Sequence, residues 1–183
     1  MYQGKNPTAL TSQKLLLDAM NELLGEKEFK DISVSELCSH SGVSRQTFYS
    51  LFGTKENILL YQLELINDTR PDSEDESPIS LMETCERFSR YVVSNYEKLK
   101  MLIENNLCEV LYTMIYQSMS SCRRSFLTQD EKTQEYAAQF VAAGLSSLTQ
   151  KYIREHKVPN QKELTGLAYK IMSGSIYQKE VNV

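Results

Sequence analysis

The chain has 183 residues, 41% of them hydrophobic and 24% charged, with a formal net charge of −4. That length allows one large domain, or a small domain joined to a medium one. No apolar run approaches the ~18–20 residues of a membrane span. The N-terminus, MYQGKNPTALTSQK, lacks the apolar stretch of a secretory signal. Four dispersed cysteines (Cys38, Cys85, Cys108, Cys122) and two histidines (His40, His156) have no metal-ligand spacing, so neither metal nor cofactor is expected. With no nucleophile motif either, the chain reads as a cytoplasmic non-enzyme with reduced thiols.

Apolar residues recur at helical spacing and strand-type alternation is absent, which predicts an all-α fold. The first helix is expected over 12–24, with Leu16, Ala19, Met20, Leu23 and Leu24 as its apolar stripe and Gly25 as its C-cap. Phe29 and Ile32 follow as a hydrophobic connection. Ser33 and Glu36 form a capping box that opens a short helix, with Val34 and Leu37 facing inward and Cys38 semi-buried. Ser41-Gly42-Val43 supplies a turn, Gly42 giving the positive φ. Ser44 caps the next helix, 45–51, whose Phe48 and Leu51, with Phe52, return to the core. A helix over 55–67, capped by Thr54, connects two parts expected at 1–54 and 55–183. The acidic, proline-bearing run NDTRPDSEDESPIS reads as an exposed loop. Further helices are expected over 79–95, 96–104, 109–126, 130–156 and 162–178, with Pro159 as a stop signal.

Cap, glycine turn, second cap and polar helix together describe a helix-turn-helix. Its outward residues are those that work on DNA: Arg45 suits guanine, Gln46 adenine, and Thr47 a thymine methyl or a phosphate. Tyr49 and Lys55 would reach phosphate oxygens. Residues 1–60 carry six bases against seven acids, so bulk charge does not favour nucleic acid and the argument rests on local placement.

The run GVSRQTFYSLFGTKENIL resembles the signature of the tetracycline-repressor (TetR) family of bacterial regulators, over roughly residues 12–60. The resemblance implies contacts to a double-stranded DNA operator at Ser33, Ser44, Arg45, Gln46, Thr47, Tyr49 and Lys55. Gln46 stands where the family often has a small residue, which leaves the base preference open.

The run EYAAQFVAAGLSSLTQKYIREHKVPNQKELTGLAYKIMSG is similar to the last two helices of TetR-like proteins, which dimerise. It implies a C-terminal bundle forming a homodimer through Phe140, Gly144, Leu148, Leu164, Ala168 and Ile171. Between these parts, Tyr91, Met101, Tyr112, Met114, Ile115 and Met119 could line a small-molecule effector pocket or simply fill a core. The expected mechanism is a population shift: effector binding moves helix 55–67 and lowers operator affinity. Repression is the expected sign. The alternative is an activator controlled by a protein partner, as in the glycerone-kinase-operon activators, which the C-terminal half also resembles.

Overall fold

Asn6 and Pro7 begin the first helix, α1 (Pro7–Glu26), five residues before the expected start. The Asn6 side chain accepts the Thr8 N–H at 2.9 Å, and proline at the first helical position gives up no needed donor. Gly25 does not end the helix. It lies inside α1, and the chain leaves at Lys27, whose extended backbone still donates to the Leu23 carbonyl at 3.0 Å. A single 3₁₀ turn, Phe29–Asp31, then leads into α2 (Val34–Ser41), α3 (Arg45–Leu51) and α4 (Glu56–Asn67). After these come α5 (Leu81–Ser94), α6 (Tyr96–Glu104), α7 (Cys108–Ser121), α8 (Glu131–Glu155) and α9 (Gln161–Met172).

This computed structural model describes residues 2–67, 79–121, 130–155 and 158–176. Most of the expected acidic loop, Cys122, the end of the helix expected over 109–126, His156 and residues 177–178 lie outside the described residues. Among the described residues there is no strand, and no helix is long and apolar enough to cross a membrane.

The chain divides into two compact units, Met1–Arg70 with Asn105–Val110, and Pro71–Glu104 with Leu111–Val183. The first division therefore falls after α4, not before it at residue 54. The reason is packing: Ile58, Leu59, Leu60 and Leu63 of α4 are buried with Leu16, Met20, Leu37, Phe48 and Phe52, and Gln62 Nε2 donates to Asn21 Oδ1 of α1 at 2.9 Å. Thr54 caps α4 as expected, accepting from Asn57 N–H at 3.3 Å, although the helix opens at Glu56.

The capping box of α2 holds. Ser33 Oγ accepts the Glu36 N–H at 3.1 Å, and the Glu36 carboxylate pairs with Lys27 Nζ at 2.5 Å. The hydrogen bond from Lys27, its positive charge and the Ser33 backbone N–H hold the Glu36 carboxyl below its ordinary pKa, against a smaller opposing effect of burial. The pair ties the end of α1 to the start of α2.

In the second unit α5 packs on α9 and α6, α6 on α8, and α8 on α9. Ser89 and Thr165 hydroxyls meet at 2.5 Å between α5 and α9. The buried Tyr152 hydroxyl latches the connection after α8, donating to the Asn160 carbonyl at 3.1 Å and accepting its N–H at 2.7 Å. Leu164 and Ala168 are fully buried here. That corrects their expected place at a dimer face, because the inner stripe of α9 fills this unit's own core.

Two outcomes follow from these contacts. Tyr152→Phe leaves both Asn160 groups without their partner and should cost about 1–3 kcal/mol; urea unfolding should show a lower midpoint at unchanged slope. Glu36 has its pKa lowered by folding, so its contribution is present above the ordinary glutamate range and lost as pH falls through the folded value. Glu36→Gln should therefore lower the melting temperature at pH 7, with the difference closing on acidification and shrinking in salt.

Candidate nucleic-acid interface

The turn between α2 and α3 is built on Gly42, which takes the left-handed conformation (φ 68°) that a side chain would disfavour. Val43 is buried beneath it. Ser44 then opens α3: its Oγ accepts the Thr47 N–H at 3.1 Å and lies 2.9 Å from the Thr47 hydroxyl. Phe48, Leu51 and Phe52 are buried, and a second left-handed glycine, Gly53 (φ 76°), turns the chain away. All inward expectations for this segment hold except that Val34 is only half-buried, and Cys38 is buried outright.

Because Phe48 and Leu51 point inward, the first turn of α3 points outward. Arg45 and Gln46 are exposed and Thr47 is half-buried. Arg45 reaches across to α2, its Nη2 donating to Ser35 Oγ. Tyr49 is 58% exposed, with its ring edge-on to Phe48 at 5.1 Å. Ser33 and Ser44 are exposed at the two helix starts, each using an oxygen lone pair on its cap. These six expected contacts share the surface of one helix-turn-helix.

Lys55 departs from the expectation. Its ammonium is turned inward, donating to the Phe29 carbonyl at 3.0 Å and to the Ile32 carbonyl, and it stands 4.4 Å from the Phe29 ring centroid. The carbonyls and ring hold the charge that was expected on a phosphate.

One part of the site went unread in the sequence. Tyr2 N–H donates to the Leu51 carbonyl at 2.8 Å, and the buried Gln13 holds the Tyr2 carbonyl at 3.1 Å. The N-terminal arm thus caps the end of α3. The available signal was Gln13 itself, a polar residue in register with the apolar stripe Leu16, Leu17 and Met20. An open cleft of about 380 Å³ lies between this arm and α3, lined by Tyr2, Asn6, Thr8, Ala9 and Ser12 on one side and Gln46, Thr47, Ser50 and Leu51 on the other.

Local charge is partly used up within the unit. Lys27 pairs with Glu36 at 2.5 Å and Lys30 with Glu28 at 2.7 Å, while Lys5, Lys14 and Arg45 are exposed.

The residues expected around an effector are split between roles. Met114 and Ile115 are buried, while Tyr91, Met101, Tyr112 and Met119 are half-buried. Tyr112 stacks on Tyr116, centroids 6.1 Å apart. The Tyr91 hydroxyl is buried and has no hydrogen-bond partner among the described residues, and burial pushes its phenol above the ordinary tyrosine pKa. On the other expected surface, Phe140 is 82% exposed, Gly144 and Ile171 are exposed and Leu148 is half-buried. Tyr136, at 65%, and Leu167 are exposed with them and were not anticipated.

Comparison with known proteins agrees with the geometry. Residues 16–61 match the model of the tetR family of bacterial regulatory proteins. A stretch of 58 residues is 36% identical to the HTH-type transcriptional regulator EthR of Mycolicibacterium smegmatis; it covers 32% of this chain and only 27% of that protein's length. Among solved structures, the chain is similar to a TetR transcriptional regulator from Streptococcus agalactiae 2603V, with a TM-score of 0.54 at 16% identity over 90% of this chain and 94% of that one. It is also similar to the TetR family repressor AlkX from Dietzia sp., with a TM-score of 0.52 at 19% identity, covering 95% and 97%. The dihydroxyacetone kinase operon activator DhaS gives a TM-score of 0.51 at 17% identity, covering 93% and 99%. At such identities the structural likenesses carry the fold alone. The sequence match lies on the helix-turn-helix, and over that segment the chain is similar to the tetR family of bacterial regulatory proteins.

Proposed function

We propose that this protein is a cytoplasmic, homodimeric, sequence-specific DNA-binding transcriptional repressor, controlled by a small-molecule effector taken up in its second unit. The observation that carries the DNA reading is the division of α3 into two faces. Phe48 and Leu51 anchor it, and Arg45, Gln46, Thr47 and Tyr49 are left to the solvent side. Residues in the first turn of such a helix meet base edges in the major groove. Arg45 and Gln46 then read bases; Thr47, Tyr49, Ser33 and Ser44 add base or phosphate contacts.

One recognition helix binds weakly, so two copies on related half-sites are needed. The exposed row of Tyr136, Phe140 and Gly144 on α8, with Leu167 and Ile171 on α9, supports pairing about a two-fold axis. A Cβ at Gly144 would meet nothing within 4 Å beyond its own helix backbone among the described residues, which leaves room for a close helix approach. For the effector, the buried Tyr91 hydroxyl, with no hydrogen-bond partner among the described residues, favours a ligand that supplies one hydrogen bond. Ligand binding lowers operator affinity by favouring the DNA-incompetent state.

Arg45→Ala should relax base preference at one position per half-site, by about 1–3 kcal/mol of discrimination, as read by selection from a randomised duplex library. Phe140→Glu should give a monomer by sedimentation at micromolar concentration and abolish tight operator binding; a wild-type monomer there would remove the dimer. A metabolite screen by thermal shift should return a stabilising ligand whose effect falls in Tyr91→Phe. A protein captured by the second unit, with no ligand found, would instead favour an activator.

A further inference from the structure

Lys55 lies just beyond the helix-turn-helix and Ile32 lies immediately before its first cap, Ser33. The Lys55 ammonium donates to the Ile32 carbonyl, so one side chain closes the base of the motif across the whole of α2, the turn and α3. The same ammonium donates to the Phe29 carbonyl at 3.0 Å and faces the Phe29 ring at 4.4 Å. On the opposite edge of that residue, the Phe29 N–H donates to Asn105 Oδ1 at 2.8 Å. Asn105 belongs to the segment Asn105–Val110, which joins the first unit from far along the chain. Phe29 itself is buried. Its backbone is therefore gripped on both sides, by a cation at the carbonyl and an amide oxygen at the N–H.

Lysine carries three donors. Two are directed at backbone carbonyls, and the side chain is half-buried. A move that carried the ammonium wholly to a phosphate would give up both carbonyls and the aromatic face.

We propose that Lys55 and Asn105 are positioning residues for operator binding: they lock the Phe29 turn and the base of the helix-turn-helix, and Lys55 does not neutralise a DNA phosphate. This rests on the DNA-binding reading above. A phosphate contact and a clamp leave different signatures. Removing one phosphate contact flattens the dependence of log affinity on log salt by about 0.9. Removing a clamp weakens operator binding at unchanged salt slope, and leaves non-specific binding alone because no counterion-releasing contact is lost.

The test uses the full chain, a duplex that the wild type recovers from a randomised library, and calf-thymus DNA. Lys55→Met and Asn105→Ala should each weaken the selected duplex by ~10-fold, the scale of a lost hydrogen bond in or out of a charged pair, with the salt slope and calf-thymus affinity unchanged. The double variant should lose less than the product of the two, because both grip one residue. A slope flattened by about 0.9 in Lys55→Met, or losses that simply multiply, overturns the proposal. If Lys55→Met does not fold, Lys55→Arg decides. A guanidinium serves a phosphate as well as an ammonium does, but does not fit between these two carbonyls, so full affinity in Lys55→Arg also overturns it. Should the wild type recover no duplex, the DNA reading fails by itself. The clamp is then still judged by whether the melting-point losses of the single variants add in the double variant.

Discussion

A helix of seven residues cannot hold itself together in water, since isolated helices shorter than ~12–15 residues are marginal even in favourable sequences. α3 has seven. Its order must come from outside, and the first unit can be understood as the means of supplying it. Ser44 satisfies its first N–H groups and Tyr2 binds the Leu51 carbonyl at its end. Phe48, Leu51 and Phe52 tie it into a core shared with α1, α2 and α4. Truncating one such buried aromatic removes about 3–5 kcal/mol, a large fraction of the ~5–15 kcal/mol by which a whole domain is stable. With one face carrying so much of the structural duty, Gln46 and Tyr49 are left exposed on the other.

The same economy governs charge. The first sixty residues hold six bases and seven acids, and Lys27, Lys30 and Lys55 are occupied within the unit. The proposed non-specific attraction to the phosphate backbone is consequently low, because that attraction scales with the number of phosphates neutralised. Affinity would then depend on base contacts by Arg45 and Gln46, doubled by a second subunit.

What could be read in the sequence follows the range of the physics. Caps and left-handed glycines are local, so Ser33, Ser44 and Gly42 announced their helix ends without knowledge of the fold. Gly25 misled for the same local reason: a glycine after an apolar stripe looks like a stop, while the Asn6-Pro7 start signal was present and passed over. Periodicity shows that the stripe with Leu164 and Ala168 is covered but not by what, and the fold covers it with its own helices. Lys55 is the instructive case. Its residue type suits a phosphate or a carbonyl equally well, and the tertiary approach of Phe29 and Ile32, 26 and 23 residues away, which brings the carbonyls to it, is not legible in the sequence.

That choice bears on how such a motif could be regulated at all. A ten- to hundredfold change in affinity corresponds to about 1.4–2.7 kcal/mol. A hydrogen bond to a charged group contributes about 1.5–3 kcal/mol, and a neutral one about 0.5–1.5 kcal/mol. α3 is held by a short set of such contacts, none of which duplicates another: the cap at Ser44, the arm at Tyr2, the ammonium at the base. Loosening any one of them would be comparable to the free energy that the proposed effector would have to deliver. Large displacement is then unnecessary. A short helix that reads DNA as proposed would also be easy to switch off, because the polar contacts that position it on its buried aromatic anchors are each about as strong as the signal.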